Sequence, residues 1–143
     1  MLYFAYGSNM DEDQMNHRCP FAEKIATGFL SDHKLIISHK SKKWAGGVLS
    51  VKPETSKKVW GAIYDITQSD LDNLDYYEGW PKVYSRKILK VNVVNDLNQI
   101  TGTKDCYVYF ANKVEEGVKP SEDYLDLVKE AHEKNKTPFL LDL

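Results

Sequence analysis

Cysteine is scarce in this 143-residue chain. It has two, Cys19 and Cys106, too few for a disulfide framework. Neither belongs to a C-x-x-C pair, and none of the four histidines (His17, His33, His39, His132) stands in H-x-x-x-H spacing, so no metal site is expected. An excess of one charge is lacking too. Nineteen Lys and Arg against twenty-one Asp and Glu leave a net charge of -2, without the basic surplus of a nucleic-acid binder, and no nucleic-acid partner is expected. No apolar run approaches the ~18 residues of a membrane span, so no membrane partner is expected either. The opening Met1-Leu2-Tyr3-Phe4 has neither the basic region nor the long apolar region of a signal peptide. With reduced thiols, this points to a cytoplasmic protein. Linkers rich in Gly, Ser or Pro are missing, as are internal repeats, so residues 1–143 read as a single domain. There is no P-loop and no G-x-S-x-G elbow.

What is present supports a packed core: 42% hydrophobic residues, 12% aromatic, and nine tyrosines, each an apolar body with a polar tip. Leu2 to Tyr6 reads as a short strand broken by Gly7-Ser8-Asn9. Asp11 to His17 reads as a short helix with acidic residues in its first turn, stopped by Cys19-Pro20. Strands are expected over Ala22–Phe29, Leu35–Ile37, Ala45–Val51, Val59–Ile66, Val83–Val94 and Thr103–Ala111, the last two joined by a turn over Asn95–Gly102. Gly46-Gly47 suggests a bulge or a close backbone approach. Thr67-Gln68-Ser69-Asp70 fits a capping-box helix start, and Gly79 with Pro81 marks its end. Ser121 caps a last helix whose Tyr124, Leu127, Val128 and Ala131 share one face. About seven strands and three helices, with neighbouring strands joined by short turns, predict an α+β fold with a small mixed, mostly antiparallel β-barrel flanked by helices. The order is not the β-α-β alternation of a dinucleotide-binding fold.

Two features carry candidate chemistry. In the turn Tyr6-Gly7-Ser8-Asn9, successive backbone N–H groups can cradle a carboxylate, a phosphate or a developing oxyanion; the plainer reading is a glycine turn in which Ser8 or Asn9 caps the next helix. Glu78 continues the helix face of Leu71 and Leu74 and falls in the last turn, at the negative end of the helix dipole. Partial burial and the dipole both disfavour its charged form, which raises its pKa toward the range of a proton-transfer group; the plainer reading is a solvated last-turn glutamate. Asp72, Asp75 and Glu78 at three-residue spacing could suggest paired carboxylates for glycoside hydrolysis, but such charge runs are usually solvated faces.

These signals line up with one family. Leu2-Tyr3-Phe4-Ala5-Tyr6-Gly7-Ser8-Asn9-Met10 resembles the signature start of γ-glutamylcyclotransferase-like proteins. His17-Arg18-Cys19-Pro20, Trp44-Ala45-Gly46-Gly47-Val48, Val59-Trp60-Gly61 with Tyr64, Leu74-Asp75-Tyr76-Tyr77-Glu78-Gly79 with Tyr84, and Pro120-Ser121-Glu122-Asp123-Tyr124-Leu125 are similar to later elements of that family, in the same order. The resemblance covers nearly the whole chain.

It implies a small β-barrel flanked by helices and an enzyme that cleaves a small γ-glutamyl amide without metal or other cofactor. The substrate's α-amine attacks its own γ-carbonyl, giving 5-oxoproline and a free amine or amino acid. It places the catalytic glutamate at Glu78 and the substrate-binding residues at Tyr3, Phe4, Ala5, Tyr6, Gly7, Ser8 and Tyr124. The partner is a small γ-glutamyl substrate, and a homodimer is a possible assembly. The alternative is a non-catalytic module of the same fold that binds a small metabolite or anion.

Overall fold

The computed structural model describes residues 1–142. Five strands form one sheet: β1 (Leu2–Ala5), β2 (Glu23–Ser41), β3 (Gly46–Asp65), β4 (Tyr84–Val94) and β5 (Ile100–Ala111). Their order is β1-β3-β2-β4-β5, and the sheet closes into a barrel. The closing pair, Tyr3 of β1 with Tyr107 of β5, is parallel; every other pairing is antiparallel. Three helices flank it: α1 (Glu12–Arg18), α2 (Gln68–Glu78) and α3 (Glu122–Lys134). The mixed, mostly antiparallel barrel with flanking helices is the expected fold.

The strand count differs from expectation, five instead of seven. Ala22–Phe29 and Leu35–Ile37 are two parts of β2; Ala45–Val51 and Val59–Ile66 are two parts of β3. Leu30 apart, the intervening residues of β2 are polar, and residues 52–58 of β3 are all exposed, so the apolar pattern breaks while each strand continues. Ser31 still pairs with Lys58 and His33 with Pro53, because the ladder is made by backbone groups that are indifferent to side-chain polarity. A register shift between Ser31 and His33 absorbs the irregularity. There Asp32 takes a φ of 56° and its carboxylate accepts the Ser56 N–H at 2.9 Å. The turn after β4 is shorter than expected, since β5 already begins at Ile100.

Alternation along the strands feeds two clusters. Tyr3 and Ala5 of β1, with Ala62 and Tyr64 of β3, pack against Met10, Met15, Leu71 and Leu74. Phe4, Tyr6, Val59 and Ile63 join Leu49, Val91, Val108, Tyr124 and Val128 in the other. Opposite faces of β1 therefore anchor α1, α2 and Ala131 of α3 on one side, and Tyr124 and Val128 of α3 on the other. The segment that follows β1 sits between them.

Two glycines set the distances between these parts. A Cβ at Gly46 would lie 2.6 Å from the Ser121 N and 2.9 Å from the Lys119 O, while the Gly47 N–H donates to the Lys119 carbonyl at 2.9 Å. The close approach expected of Gly46-Gly47 thus seats the start of α3 on β3. At Gly61 a Cβ would overlap the Ala5 carbonyl oxygen and come within 2.9 Å of the Phe4 ring. Gly61→Ala is therefore expected to push β1 away from β3 and lower stability by about 1–3 kcal/mol, seen as a reduced midpoint in urea at unchanged slope.

Candidate active site

The chain leaves β1 at Ala5 and turns at Gly7 into a single 3-10 turn, Ser8–Met10. The Met10 and Asp11 N–H groups close onto the Gly7 and Ser8 carbonyls, both at 3.0 Å. As in the first turn of any helix, the preceding N–H groups are left without an intrahelical acceptor. Asp11, not Ser8 or Asn9, caps α1, its carboxylate accepting the Gln14 N–H at 3.0 Å. Ser8 and Asn9 are thereby freed from the capping role. Ser8 Oγ accepts from Gln14 Nε2 at 2.7 Å. Asn9 is buried, and its Oδ1 accepts from Gln14 Nε2 and from Arg18 Nη1, both at 3.0 Å. Its Nδ2 donates to the Tyr3 hydroxyl at 2.9 Å and reaches Glu78 Oε1 at 3.5 Å. The backbone beyond β1 is fixed from the other side by His132 of α3, whose Nε2 lies 3.0 Å from the Tyr6 carbonyl. A carbonyl can only accept, so that nitrogen carries the proton.

Glu78 arrives from α2. Thr67 and Asp70 form the full capping box: Thr67 Oγ1 accepts the Asp70 N–H at 3.1 Å, and the Asp70 carboxylate accepts the Thr67 N–H at 3.0 Å. Leu74 and Leu71 are buried one and two turns before Glu78, and the left-handed Gly79, with a φ of 68°, ends the helix at that residue. Glu78 is half-buried and turned into a cavity of about 400 Å³. Burial pushes its carboxyl up from 4.5 to about 7, while the charge of Arg18 pulls the other way. Desolvation is thus the main cause.

Tyrosines wall the cavity. The hydroxyls of Tyr3, Tyr6, Tyr84, Tyr109 and Tyr124 are all pushed up, in each case first by burial, with the Glu78 charge contributing as well. They stay protonated, and Glu78 lines the same cavity as all five. Leu49 of β3 holds two of them. Its N–H donates to the Tyr124 hydroxyl, and its carbonyl accepts from the Tyr84 hydroxyl, both at 2.9 Å. The Tyr6 hydroxyl donates to the Tyr109 carbonyl at 2.7 Å.

Seven of the eight residues named from the sequence line this one cavity: Glu78, Tyr3, Phe4, Tyr6, Gly7, Ser8 and Tyr124. Ala5 does not. Its side chain is buried in the cluster beneath α1 and α2, and its backbone pairs with Ala62, so its part is to carry the turn. Asn9, Arg18, Tyr84 and Tyr109 also line the cavity. Asn9 stands in the motif, but its sequence neighbours suggest only a cap. Arg18, in the last turn of a short helix, is where any helix favours a cation. Tyr84 and Tyr109 come from strands whose register no local pattern reveals.

The other candidates separate cleanly. Asp75 is engaged by Arg86 through two hydrogen bonds, at 2.8 and 3.1 Å, and accepts the Tyr109 hydroxyl at 2.6 Å. It is a structural anion, not half of a carboxylate pair. Asp72 is exposed. Both cysteines are buried, and burial pushes Cys19 up to about 12 and Cys106 up to about 11, far from a reactive thiolate. Among the described residues, no group of three His, Cys, Asp or Glu side chains could hold a metal ion, and no helix is long and apolar enough to cross a membrane. The arrangement thus offers a carboxyl that exchanges a proton near neutrality, the Gly7-Ser8 backbone lining the same cavity, and neutral hydroxyls around both.

Comparison with known proteins gives one consistent picture. A family model described as "Gamma-glutamyl cyclotransferase, AIG2-like" matches residues 3–126. The human protein named gamma-glutamylcyclotransferase is 29% identical over 143 residues, spanning 96% of this chain and 73% of that protein. The bovine protein of the same name is 34% identical over 82 residues, 54% of this chain and 44% of that one. A zebrafish (Danio rerio) protein named gamma-glutamylaminecyclotransferase B is 30% identical over 97 residues, 63% of this chain and 50% of that one. A solved structure described as a gamma-glutamyl cyclotransferase superposes with a TM-score of 0.82 at 26% identity, covering 96% of this chain and 81% of its own.

Proposed function

This chain belongs to the gamma-glutamyl cyclotransferase, AIG2-like family, and on that premise we propose that it cleaves a small γ-glutamyl amide to 5-oxoproline and a free amine or amino acid, with Glu78 moving the protons. The observation that carries this reading is a half-buried carboxyl, at about 7, sharing one cavity with the turn after β1.

The chemistry follows from those parts. The cavity folds the substrate so that its α-amine meets its own γ-carbonyl, which makes the attack intramolecular. Glu78, ionised, takes a proton from the attacking amine as the new C–N bond forms. Backbone N–H groups at Gly7 and Ser8 stabilise the oxyanion or hold the substrate's α-carboxylate. The protonated Glu78 then donates to the departing nitrogen as the amide C–N bond breaks, and the carboxylate is regenerated. A group poised near 7 does both steps without a second acid.

The test is release of 5-oxoproline from a panel of γ-glutamyl-amino acids and γ-glutamylamines. Turnover of at least one compound is expected. Tight calorimetric binding of an intact γ-glutamyl compound with no turnover over hours would instead assign a binding module.

The pH dependence provides a second check. The base must be ionised in the free enzyme, so kcat/KM falls as pH drops through about 7. Arg18 pulls the Glu78 carboxyl down, so in Arg18→Met that carboxyl rises and the acid limb moves to higher pH. A profile whose acid midpoint is the same in both proteins would separate Arg18 from the titration of Glu78.

A further inference from the structure

The cavity is strongly asymmetric in charge. Its charged lining residues are Arg18, Lys40, Lys42 and Lys43 against a single acid, Glu78, which is only partly ionised near neutrality. The three lysines belong to the short stretch where β2 hands over to β3, and all three are exposed at the cavity edge. None of the four cations forms an ion pair with a carboxylate among the described residues, although five ion pairs occur elsewhere. Lys43 is held in place: its Nζ donates to Gln14 Oε1 at 3.2 Å and lies 5.1 Å from the centre of the Trp44 ring. That ring packs edge-on against Tyr124 at 5.2 Å. The cationic edge is thus tied to both α1 and the tyrosine wall.

Four cations without a paired carboxylate, with Glu115 acting only on the neighbouring His39, repel one another, and a concave site lined mostly with one sign attracts a ligand of the other. In the cyclotransferase reading, the backbone donors of the turn serve the oxyanion or the substrate's α-carboxylate. The lysines stand at the edge, where the part of the substrate that departs must project. Resting on the cyclotransferase reading above, we infer that the leaving amine is itself acidic: an amino acid or short peptide bearing a side-chain carboxylate, held at the edge by Lys40, Lys42 and Lys43.

The test compares γ-glutamyl-glutamate with γ-glutamyl-glutamine, which differ in the charge of one group and hardly in shape. Binding is measured by calorimetry to the Glu78→Gln variant, so that no turnover is needed. The acidic compound is expected to bind about tenfold more tightly at low salt, since each exposed cation contributes a factor of about two to three. Raising salt from about 0.01 to about 1 M should erase most of the difference. So should replacing Lys40, Lys42 and Lys43 together by glutamine. Equal affinity for the two compounds, or a preference that survives in the triple variant, overturns the inference. The binding ratio judges the cationic edge; 5-oxoproline release by the unaltered protein judges the cyclotransferase reading, so either can fail without the other.

Discussion

Glu78→Gln is expected to lower kcat for 5-oxoproline release by at least about 10²–10⁴-fold with little change in KM, the range associated with loss of one general acid–base group. The amide is close to the carboxyl in size, so the cavity wall formed by Tyr3, Tyr84 and Tyr124 has no reason to shift. What disappears is the capacity to take a proton from the attacking amine and return it to the departing nitrogen. The effect should therefore fall on kcat. The acid limb centred near 7 should vanish with it, since the titrating group is gone. Full activity in this variant would remove Glu78 from the mechanism. A large loss that leaves the acid limb in place would show that another group titrates.

The same substitution is expected to stabilise the protein. In the folded chain Glu78 holds its proton up to about 7, against 4.5 when solvated. Between those values the native state binds more protons than the unfolded one, so stability falls as pH rises through that window and stays reduced above it. The difference corresponds to up to about 3 kcal/mol once the carboxyl is fully ionised. Glutamine never ionises and escapes this cost. Glu78→Gln should raise Tm at pH 8 by roughly 5–10 °C for a chain of this size, while at pH 4 the two proteins should melt together. Equal Tm at pH 8 would mean that Glu78 is solvated when ionised, which is incompatible with desolvation as the source of its raised pKa. A variant that is both inactive and more stable also separates lost chemistry from lost folding.

Arg18 fits the same electrostatic frame. Without its guanidinium, burial would hold the Glu78 proton still more tightly, and the ionised base would be rarer at neutral pH. Its two other contacts, with Asn9 Oδ1 at 3.0 Å and over the Tyr77 ring at 4.6 Å, fix it on the cavity wall without neutralising it. The carboxyl is therefore balanced by burial in one direction and a fixed cation in the other.

Local signals determined much of this protein. The Thr67–Asp70 capping box, the Gly79 stop, the Ser121 cap and the alternation along Val59–Ile66 are encoded within a few residues of where they act, so they were legible directly. So was the helical phase that carries Glu78 onto the face of Leu71 and Leu74, though that phase left open whether the carboxyl there is solvated. The merging of seven expected strands into five was not legible, since backbone ladders run through polar stretches that leave no apolar trace. The convergence of the site was not legible either. Asn9, Arg18, Glu78, Tyr84 and Tyr109 come from separate elements, and only barrel closure, with Tyr3 beside Tyr107 and Gly61 letting β1 lie against β3, brings them around one cavity. Residue type and helical phase decide which side chain can hold a proton. How strongly it holds that proton depends on the water and charges around it, and those are set by segments that meet only in the folded chain.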